Sequence, residues 1–214
     1  MSPRPRKVTD DQLFAAAHAV MSRVGPRELT LAAIAEEAGV TAAVPVQRFG
    51  SKRAMLLAMF EKAANSSGEM IATMAKQHHS PLAAVRAYSD CMAGMASSPA
   101  ALSRNLAYLQ IDLTDPDFRK YLVKQARANR EGLRGLIEAA KKAGELATSV
   151  NPSRLARTIE AVLSGSMLSW AFYRQGRAAR WMRADLESVL APYLVKRHSL
   201  HQIRRANMLR YSLR

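Results

Sequence analysis

Two long polar side chains, Gln47 and Arg48, stand next to each other in a segment of otherwise small or apolar residues, TAAVPVQR from position 41 to 48. A glutamine amide pairs a donor with an acceptor and matches the edge of adenine, whereas a guanidinium pairs two donors and matches guanine. Lys52 follows four residues later, and an ammonium group is a common contact for a phosphate. These residue types suit hydrogen bonding to a nucleic acid.

The residues around this segment predict two short helices joined by a glycine. Thr30 can cap the first helix, whose apolar face recurs at helical spacing in Leu31, Ile34, Ala35 and Ala38. Gly39 can adopt the left-handed conformation that ends a helix sharply. We expect the Thr41 hydroxyl to cap the next helix. Helices joined this tightly cross at a steep angle, which lets the second lie in a DNA major groove.

The flanking sequence predicts one helix before this pair and one after it. Thr9 and Gln12 have the spacing of a capping box, and Gly25-Pro26 is expected to end the helix that they begin. Its apolar stripe consists of Leu13, Ala17, Val20, Met21 and Val24. Ser51 is expected to cap the helix that follows, with an inward face formed by Met55, Leu56, Met59 and Phe60.

Residues 8–60 resemble the N-terminal domain of the tetracycline-repressor (TetR) family of transcriptional regulators. Two motifs carry the resemblance: an I-A-x-x-A-G-V-[ST] run from Ile34 to Thr41, and an F-x-[ST]-K run from Phe49 to Lys52. The motifs account for about a quarter of the chain, and the rest resembles the family by its pattern of helices. The resemblance implies an all-α protein, with an N-terminal three-helix helix-turn-helix domain that binds DNA and a C-terminal helical domain that binds a ligand and dimerises.

In the family that the chain resembles, the second helix of the motif enters the major groove of double-stranded DNA. Carried over by position, the DNA-contacting residues are Thr30, Thr41, Ala42, Ala43, Val46, Gln47, Arg48 and Lys52. Ala43 is small enough to touch a thymine methyl, and Arg48 suits a guanine or a phosphate equally well. Ahead of the first helix, the basic residues Arg4, Arg6 and Lys7 are either minor-groove contacts or part of a solvated start.

Two residues depart from the family pattern. Val46 stands where the family usually has a tyrosine whose hydroxyl meets the DNA backbone. Pro45 stands near the fourth position of the expected helix, where a proline removes a donor and crowds the Thr41 carbonyl. We therefore expect the helix to begin late, near Pro45, or to be distorted.

The rest of the chain predicts further helices, about nine in all, and no convincing strand. Four prolines follow a good N-cap residue and therefore suit a first helical position; the pairs are Ser80-Pro81, Ser98-Pro99, Asp115-Pro116 and Asn151-Pro152. An apolar stripe follows each pair. We assign residues 1–62 to the helix-turn-helix domain, 63–195 to a regulatory and dimerisation domain, and 196–214 to a basic tail. That tail is either a frayed end, an extra phosphate contact or a segment that packs on a partner.

The resemblance also implies a small-molecule effector and a homodimer on a palindromic operator, most simply as a repressor. The last two helices, with stripes from Leu155 to Trp170 and from Leu186 to Leu194, are the candidates for the dimer interface. Pocket candidates combine apolar bulk with a few polar tips, and they are Met92, Met95, Asn105, Tyr108, Tyr121, Met167, Trp170 and Tyr173. Ordinary core packing is the alternative for each of them.

Composition is consistent with a DNA-binding protein but does not locate the binding surface. The net charge of the 214 residues is +15, divided as +3, +6 and +6 among the three assigned regions. No run of about 18 apolar residues predicts a membrane span, and residues 1–7 lack the apolar segment of a secretory signal. The single cysteine, Cys91, suits a reducing cytoplasm, and we expect it to be an ordinary buried residue.

Signatures of an enzyme or a metal site are not found in the sequence. It contains neither a phosphate-binding loop nor a nucleophile elbow, and we expect no cofactor. His78 and His79 are adjacent and suit a surface loop better than a metal site. Two alternatives remain open: a DNA-binding regulator gated by a protein partner, and a helical binding protein or enzyme whose helix-turn-helix is vestigial.

Overall fold

The computed structural model describes residues 8–195, except the side chains of residues 108–112. Within this range the chain is all-α, as predicted, and its only β-type contact is an isolated bridge between Leu146 and Leu194. Arg4, Arg6, Lys7 and the basic tail lie outside the described residues. The nine helices are α1 (Asp10–Glu28), α2 (Leu31–Glu37), α3 (Ala43–Phe49), α4 (Lys52–Gln77), α5 (Pro81–Ala93), α6 (Pro99–Thr114), α7 (Pro116–Lys142), α8 (Pro152–Tyr173) and α9 (Ala178–Leu190).

Most helices begin at the residue that the sequence predicts. Thr9 and Gln12 form a reciprocal capping box at α1, and the hydroxyls of Thr30 and Ser51 accept backbone N–H groups at the starts of α2 and α4. The four proline-led starts are also confirmed, because a side-chain oxygen of Ser80, Ser98, Asp115 or Asn151 accepts a backbone N–H in the first turn of each helix. These local signals need only a few neighbouring residues, which is why they can be identified from sequence.

Helix α1 is interrupted where Gly25-Pro26 predicts its end. Gly25 has φ +81°, which breaks the helical path, and residues 26–28 form one further turn. The stripe from Leu13 to Met21 is buried as expected, whereas Val24 is 46% exposed. Val24 is the last residue before the kink, and the N-terminal core does not reach it.

The buried side chains form two separate cores, and α4 contributes to both. The N-terminal core contains the inward residues of α1 and α2 together with Met55, Leu56 and Met59 of α4. The C-terminal core contains Ile71 of α4 and the inward residues of α5 and of α7 to α9. The boundary assigned between residues 62 and 63 therefore falls inside a continuous helix, and the domain division stays a prediction.

Two expectations about burial are wrong. Cys91 is exposed rather than buried, because it lies on the face of α5 opposite Leu82, Val85 and Ser89, which are buried. Met95 is 46% exposed, since α5 ends at Ala93 and a short 3-10 turn, Gly94–Ala96, changes the direction of the chain. His78 and His79 lie exposed just after α4, as expected. None of the described helices is long and apolar enough to cross a membrane.

Helices α4 and α7 approach closely where α7 has a glycine. A methyl group built on Gly132 would lie 2.8 to 3.0 Å from three side-chain atoms of Ile71, which is itself only 2% exposed. Two of these atoms are close to the backbone of α4, so relief would require the helices to separate. Gly132 thus sets the distance between the helix shared by both cores and its main partner.

We expect Gly132→Ala to lower the free energy of unfolding by about 1–3 kcal/mol through overpacking. Gly135→Ala is the matched control, because it lies in the same helix with no atom near its added methyl. That substitution should raise stability by about 0.5–1 kcal/mol, since alanine is the better helix former. Urea denaturation of both variants measures the difference, and equal shifts of the two would contradict the close approach.

Candidate nucleic-acid interface

The turn between α2 and α3 has the geometry of a helix-turn-helix. After α2, Gly39 adopts φ +68°, and the N–H groups of Gly39 and Val40 donate to the carbonyls of Glu36 and Ala35 at 3.1 and 2.9 Å. This pair of bonds closes the end of a helix around a left-handed residue. Helix α3 then begins four residues after Gly39. The predicted role of Gly39 is confirmed.

The expected cap at Thr41 is wrong. Ala42, not Thr41, is the N-cap of α3, and it has no side chain that could accept a hydrogen bond. The contribution of Thr41 comes from its backbone, whose carbonyl oxygen accepts the N–H of Val44 at 3.0 Å. Because the helix begins one residue later than a threonine cap requires, the Thr41 hydroxyl takes no part in starting it and stays exposed.

The late start expected near Pro45 is found only in part, since α3 begins one residue later than a Thr41 cap requires but two residues before the proline. Helix α3 begins at Ala43, so Pro45 is its third residue. A backbone N–H at that position would have no acceptor within the helix, and the proline therefore removes no helical hydrogen bond. Its ring is buried, which means that Pro45 serves as a packing residue on the inner side of α3.

The outer face of α3 is exposed and chemically simple. Ala42 and Ala43 are exposed small residues, Val46 is 47% exposed, and Gln47 is exposed. The side-chain amide of Gln47 makes no hydrogen bond with any other group in the described part of the chain, so both its oxygen and its nitrogen are available. We refer to the face formed by Ala42, Ala43, Val46 and Gln47 as the reading face.

Arg48 is held within the domain. Its Nη1 donates to the carbonyl oxygen of Val8 at 2.8 Å and to the Asp10 carboxylate at 3.0 Å. These bonds join the end of α3 to the start of α1 across 40 residues of chain. Contacts over such a sequence distance leave no local signal, so the residue type alone suggested only bases and phosphates as partners for Arg48.

Thr30 and Lys52 both lie where the chain enters a helix. The Thr30 hydroxyl accepts the Ala33 N–H at 3.1 Å, and its own proton remains available to an external acceptor. Half-buried Lys52 has its Nζ within 3.4 Å of the Pro26 carbonyl oxygen and 3.3 Å of the Arg27 carbonyl oxygen. Thr30 is thus tied to the scaffold by one contact and Lys52 by two, and both keep capacity for a phosphate.

The corner between α6 and α7 docks on the N-terminal core. Phe118, 3% exposed, belongs to that core and meets Phe60 edge to face at 5.4 Å. Arg53, in the first turn of α4, donates to the carboxylates of Asp115 and Asp117 at 2.9 and 2.7 Å. Its guanidinium carbon lies 5.6 Å from the centre of the Phe118 ring. This contact was missed from sequence, because Asp115 and Asp117 suggested only a helix start.

The hydrogen bond from Arg53 holds the pKa of the Asp115 carboxyl below its ordinary value, and a backbone N–H from Asp117 adds to the effect. A lowered carboxyl pKa contributes stability above the unfolded-state value of about 4 and loses it as the pH falls through the folded-state value. The docked corner is therefore weakened only in acid. Both groups are solvent-exposed, so the pair guides docking more than it stabilises the fold.

The structure does not gather the seven pocket candidates with described side chains into one cavity. Met167 and Trp170 are buried in the C-terminal core, with Met92 packed against it. Asn105 is exposed and donates to the Met95 carbonyl oxygen at 2.7 Å. Tyr121 is half-buried, Tyr173 is 66% exposed and stacks on Trp181 at 5.5 Å, and the side chain of Tyr108 lies outside the described residues.

A groove of about 960 Å³ lies between the start of α6 and the end of α8. Trp170 is the one pocket candidate among its described lining residues. The side chains that sequence reasoning missed are mostly apolar, and they include Leu102, Leu106, Leu168, Ala171 and Phe172. Their spacing on two separate helices predicts helix packing equally well, so only the fold distinguishes a groove wall from a core.

Comparison with known families agrees with this architecture. Residues 13–59 match the family model for bacterial regulatory proteins of the tetR family, and residues 106–186 match the model for a tetracyclin repressor-like C-terminal domain. The chain belongs to the TetR family. As a TetR-family member it is a DNA-binding transcriptional regulator with an N-terminal helix-turn-helix.

Solved structures with this TetR fold are distant in sequence. Reduced NemR from E. coli is 18% identical with a TM-score of 0.68, over 85% of this chain and 97% of that one. A TetR transcription regulator from Haloarcula marismortui ATCC 43049 is 17% identical with a TM-score of 0.68, over 87% and 98%. SmeT, the repressor of the Stenotrophomonas maltophilia multidrug efflux pump SmeDEF, is 21% identical with a TM-score of 0.63, over 89% and 93%. A search of curated proteins finds no match to the sequence.

We expect Arg53→Gln to raise the pKa of the Asp115 carboxyl toward its ordinary value, because the substitution removes the strongest hydrogen bond to the charged form. Carboxyl-detected NMR titration of the full chain measures this change. Arg127→Gln, at an exposed position of α7 away from the corner, should leave the pKa of Asp115 unaltered. An unchanged pKa in Arg53→Gln would show that the corner is not docked on α4 in solution.

Proposed function

We propose that this TetR-family regulator is a repressor that binds a palindromic operator as a homodimer and is released by a small apolar or amphipathic effector. We place it in the cytoplasm, and its action needs no catalytic step or cofactor. The observation that carries the proposal is the reading face of α3. It presents one long polar side chain, Gln47, among small residues, while the inner side of this short helix is buried. Such a face can approach base edges closely.

DNA binding is supported by the positions of the candidate DNA-contacting residues on and around the reading face. Gln47 is the side chain available to a base edge, and a paired contact with adenine suits its amide. Thr30, Thr41 and Lys52 lie at or just before the starts of α2, α3 and α4, where a hydroxyl or ammonium suits a phosphate. Arg48 supports this surface from the side through Val8 and Asp10. Arg4, Arg6 and Lys7 remain proposed minor-groove contacts on sequence grounds alone.

A dimer is supported by the exposed face of α8. Ala161, Gly165, Leu168 and Phe172 follow one another at intervals of three or four residues, so they share one side of the helix. Ala161 and Gly165 are exposed, Leu168 is half-buried, and Phe172 is 79% exposed. Small residues allow two helices to approach closely, and a large exposed apolar side chain is costly to leave in water. A twofold contact through this face would bring two reading heads onto one operator.

Effector response is supported by the groove between α6 and α8, whose walls include Leu168 and Phe172 of the proposed dimer face, so a partner subunit would cover that side of it. Its volume and mostly apolar walls suit a small molecule. Helix α6, which forms one wall, continues to the corner that docks on the N-terminal core. An effector releases DNA only if it binds better to a conformation whose reading heads are wrongly spaced. Because α6 connects the groove to the DNA-binding half, an effector in the groove can bind one of these two conformations better than the other.

Selection of bound sequences from random duplexes tests the DNA-binding proposal. We expect a palindrome whose half-site centres are about one helical turn or more apart. Gln47→Ala should reduce the preference for this operator over random DNA by about 1–3 kcal/mol, since it removes a paired base contact. Gln77→Ala, at an exposed position beyond the reading face, serves as the control. Equal losses on operator and random DNA in Gln47→Ala would argue against base reading.

We expect Phe172→Gln to weaken the homodimer without unfolding the protomer, because the side chain is mostly exposed in the single chain. Sedimentation equilibrium measures the dissociation constant. Val123→Gln replaces another exposed apolar residue, 40% exposed on α7, and should leave dimerisation intact. A chain that remains monomeric before substitution, or dimers weakened equally by both variants, would rule out the α8 face as the interface.

A further inference from the structure

A second cavity lies between the DNA-binding half and the regulatory half. It has a volume of about 430 Å³ and is bounded by the end of α1 on one side and by α6 on the other. We call it the junction cavity. Its described lining residues are Val24, Gly25, Pro26, Arg27, Ser103, Arg104, Ala107 and Thr114. It is separate from the groove between α6 and α8, although Ser103 lies at the edge of both.

The described lining of the junction cavity carries two positive charges and no negative one. Arg27 comes from the turn after Gly25, and Arg104 comes from the middle of α6. Neither guanidinium takes part in an ion pair among the described residues. The nearby carbonyl oxygens of Pro26 and Arg27 accept from the Lys52 ammonium, so they are already engaged by a cation. The described part of the lining therefore favours an anion.

Arg104 is the more telling of the two arginines. Its side chain is half-buried overall, but its Nε is screened from solvent and has no hydrogen-bond partner in the described structure. Buried donors are almost always satisfied, and an unpaired one costs about 1–3 kcal/mol. The Nε is closed off from the cavity, so a ligand there would meet the Nη groups of the guanidinium, whose donors suit the two oxygens of a carboxylate.

The remaining walls indicate what the anion carries. Val24, Pro26 and Ala107 offer apolar surface, and Val24 is 46% exposed. Ser103 and Thr114 add hydroxyl groups. A volume near 430 Å³ lies toward the small end of the range for ligand sites. This combination suits one carboxylate on a compact apolar body better than a polyphosphate or a long chain.

We propose that the junction cavity is a binding site for a small organic monocarboxylate, whose carboxylate is held between Arg27 and Arg104. The apolar part of the ligand packs on Val24, Pro26 and Ala107. Since one wall belongs to α1 and the other to α6, the bound ligand joins the DNA-binding half to the regulatory half. Binding at this site is independent of the proposed groove effector and of the proposed operator.

Calorimetric titration of the full chain with benzoate, hexanoate and octanoate tests the site, with the corresponding amides as uncharged controls. At least one carboxylate should bind the native chain, and its amide should not. Arg104→Gln and Arg27→Gln should each weaken binding by about tenfold or more, the loss expected for a hydrogen bond to a charged group. Arg104→Lys should recover only part of the affinity, because it keeps the charge without the two-donor geometry.

Arg127→Gln is the matched control, since it removes an exposed arginine of α7 outside the cavity. Circular dichroism establishes that each variant is folded, and Arg27, being exposed, provides a test even if Arg104→Gln does not fold. The proposal is overturned if no carboxylate binds up to about 10 mM, where a site of millimolar affinity would be saturated. It is equally overturned if Arg127→Gln loses as much affinity as the two cavity variants.

DNA phosphate is the competing source of the same negative charge, and salt dependence distinguishes it. If Arg27 and Arg104 contacted DNA, each substitution would flatten the dependence of DNA affinity on salt by about one unit. Under the proposal that slope stays unchanged in Arg104→Gln while carboxylate affinity falls. A flattened slope together with unchanged carboxylate binding would assign the two arginines to DNA and overturn the proposal.

Discussion

The burial of Phe118 in the N-terminal core is the contact on which the rest of the structure depends. Phe118 belongs in sequence to α7 and to the regulatory half, yet its ring lies against Phe60 and under the Arg53 guanidinium. An aromatic side chain of this size contributes about 1.5–3 kcal/mol when it is removed from water. Because α4 also belongs to both cores, the two halves of the protein are joined by packed hydrophobic surface rather than by a linker.

Helix α6 connects every site in the regulatory half to the DNA-binding half. Its first turns form a wall of the groove, its middle carries Arg104 into the junction cavity, and its end leads into the docked corner. A rigid helix transmits a small displacement along its whole length, since packed elements shift between discrete arrangements rather than deform. Any ligand that prefers one position of α6 therefore biases the orientation of α4 and of the helices that rest on it.

Sequence reasoning succeeded where the physical cause is local. The caps at Thr9, Thr30 and Ser51 and the left-handed Gly39 depend on residues within about four positions, and all of them are confirmed. It failed at Thr41 because the first hydrogen bond of α3 joins two backbone groups, the Val44 N–H and the Thr41 carbonyl oxygen, and involves no side chain. The contacts of Arg53 and of Phe118 depend on chain segments about sixty residues apart, and no periodicity in the sequence encodes them.

The two bonds of Arg48 explain how a short recognition helix can be held firmly. Helix α3 has only seven residues, too few to be stable without tertiary contacts. Pro45 anchors its inner side, and Arg48 anchors its end to the Val8 carbonyl and to Asp10. A guanine contact by Arg48 would have to replace both bonds and would leave the Asp10 carboxylate facing the DNA without its cation. The two bonds therefore favour a structural role for Arg48 at the start of α1, and Gln47 is the residue proposed to read bases.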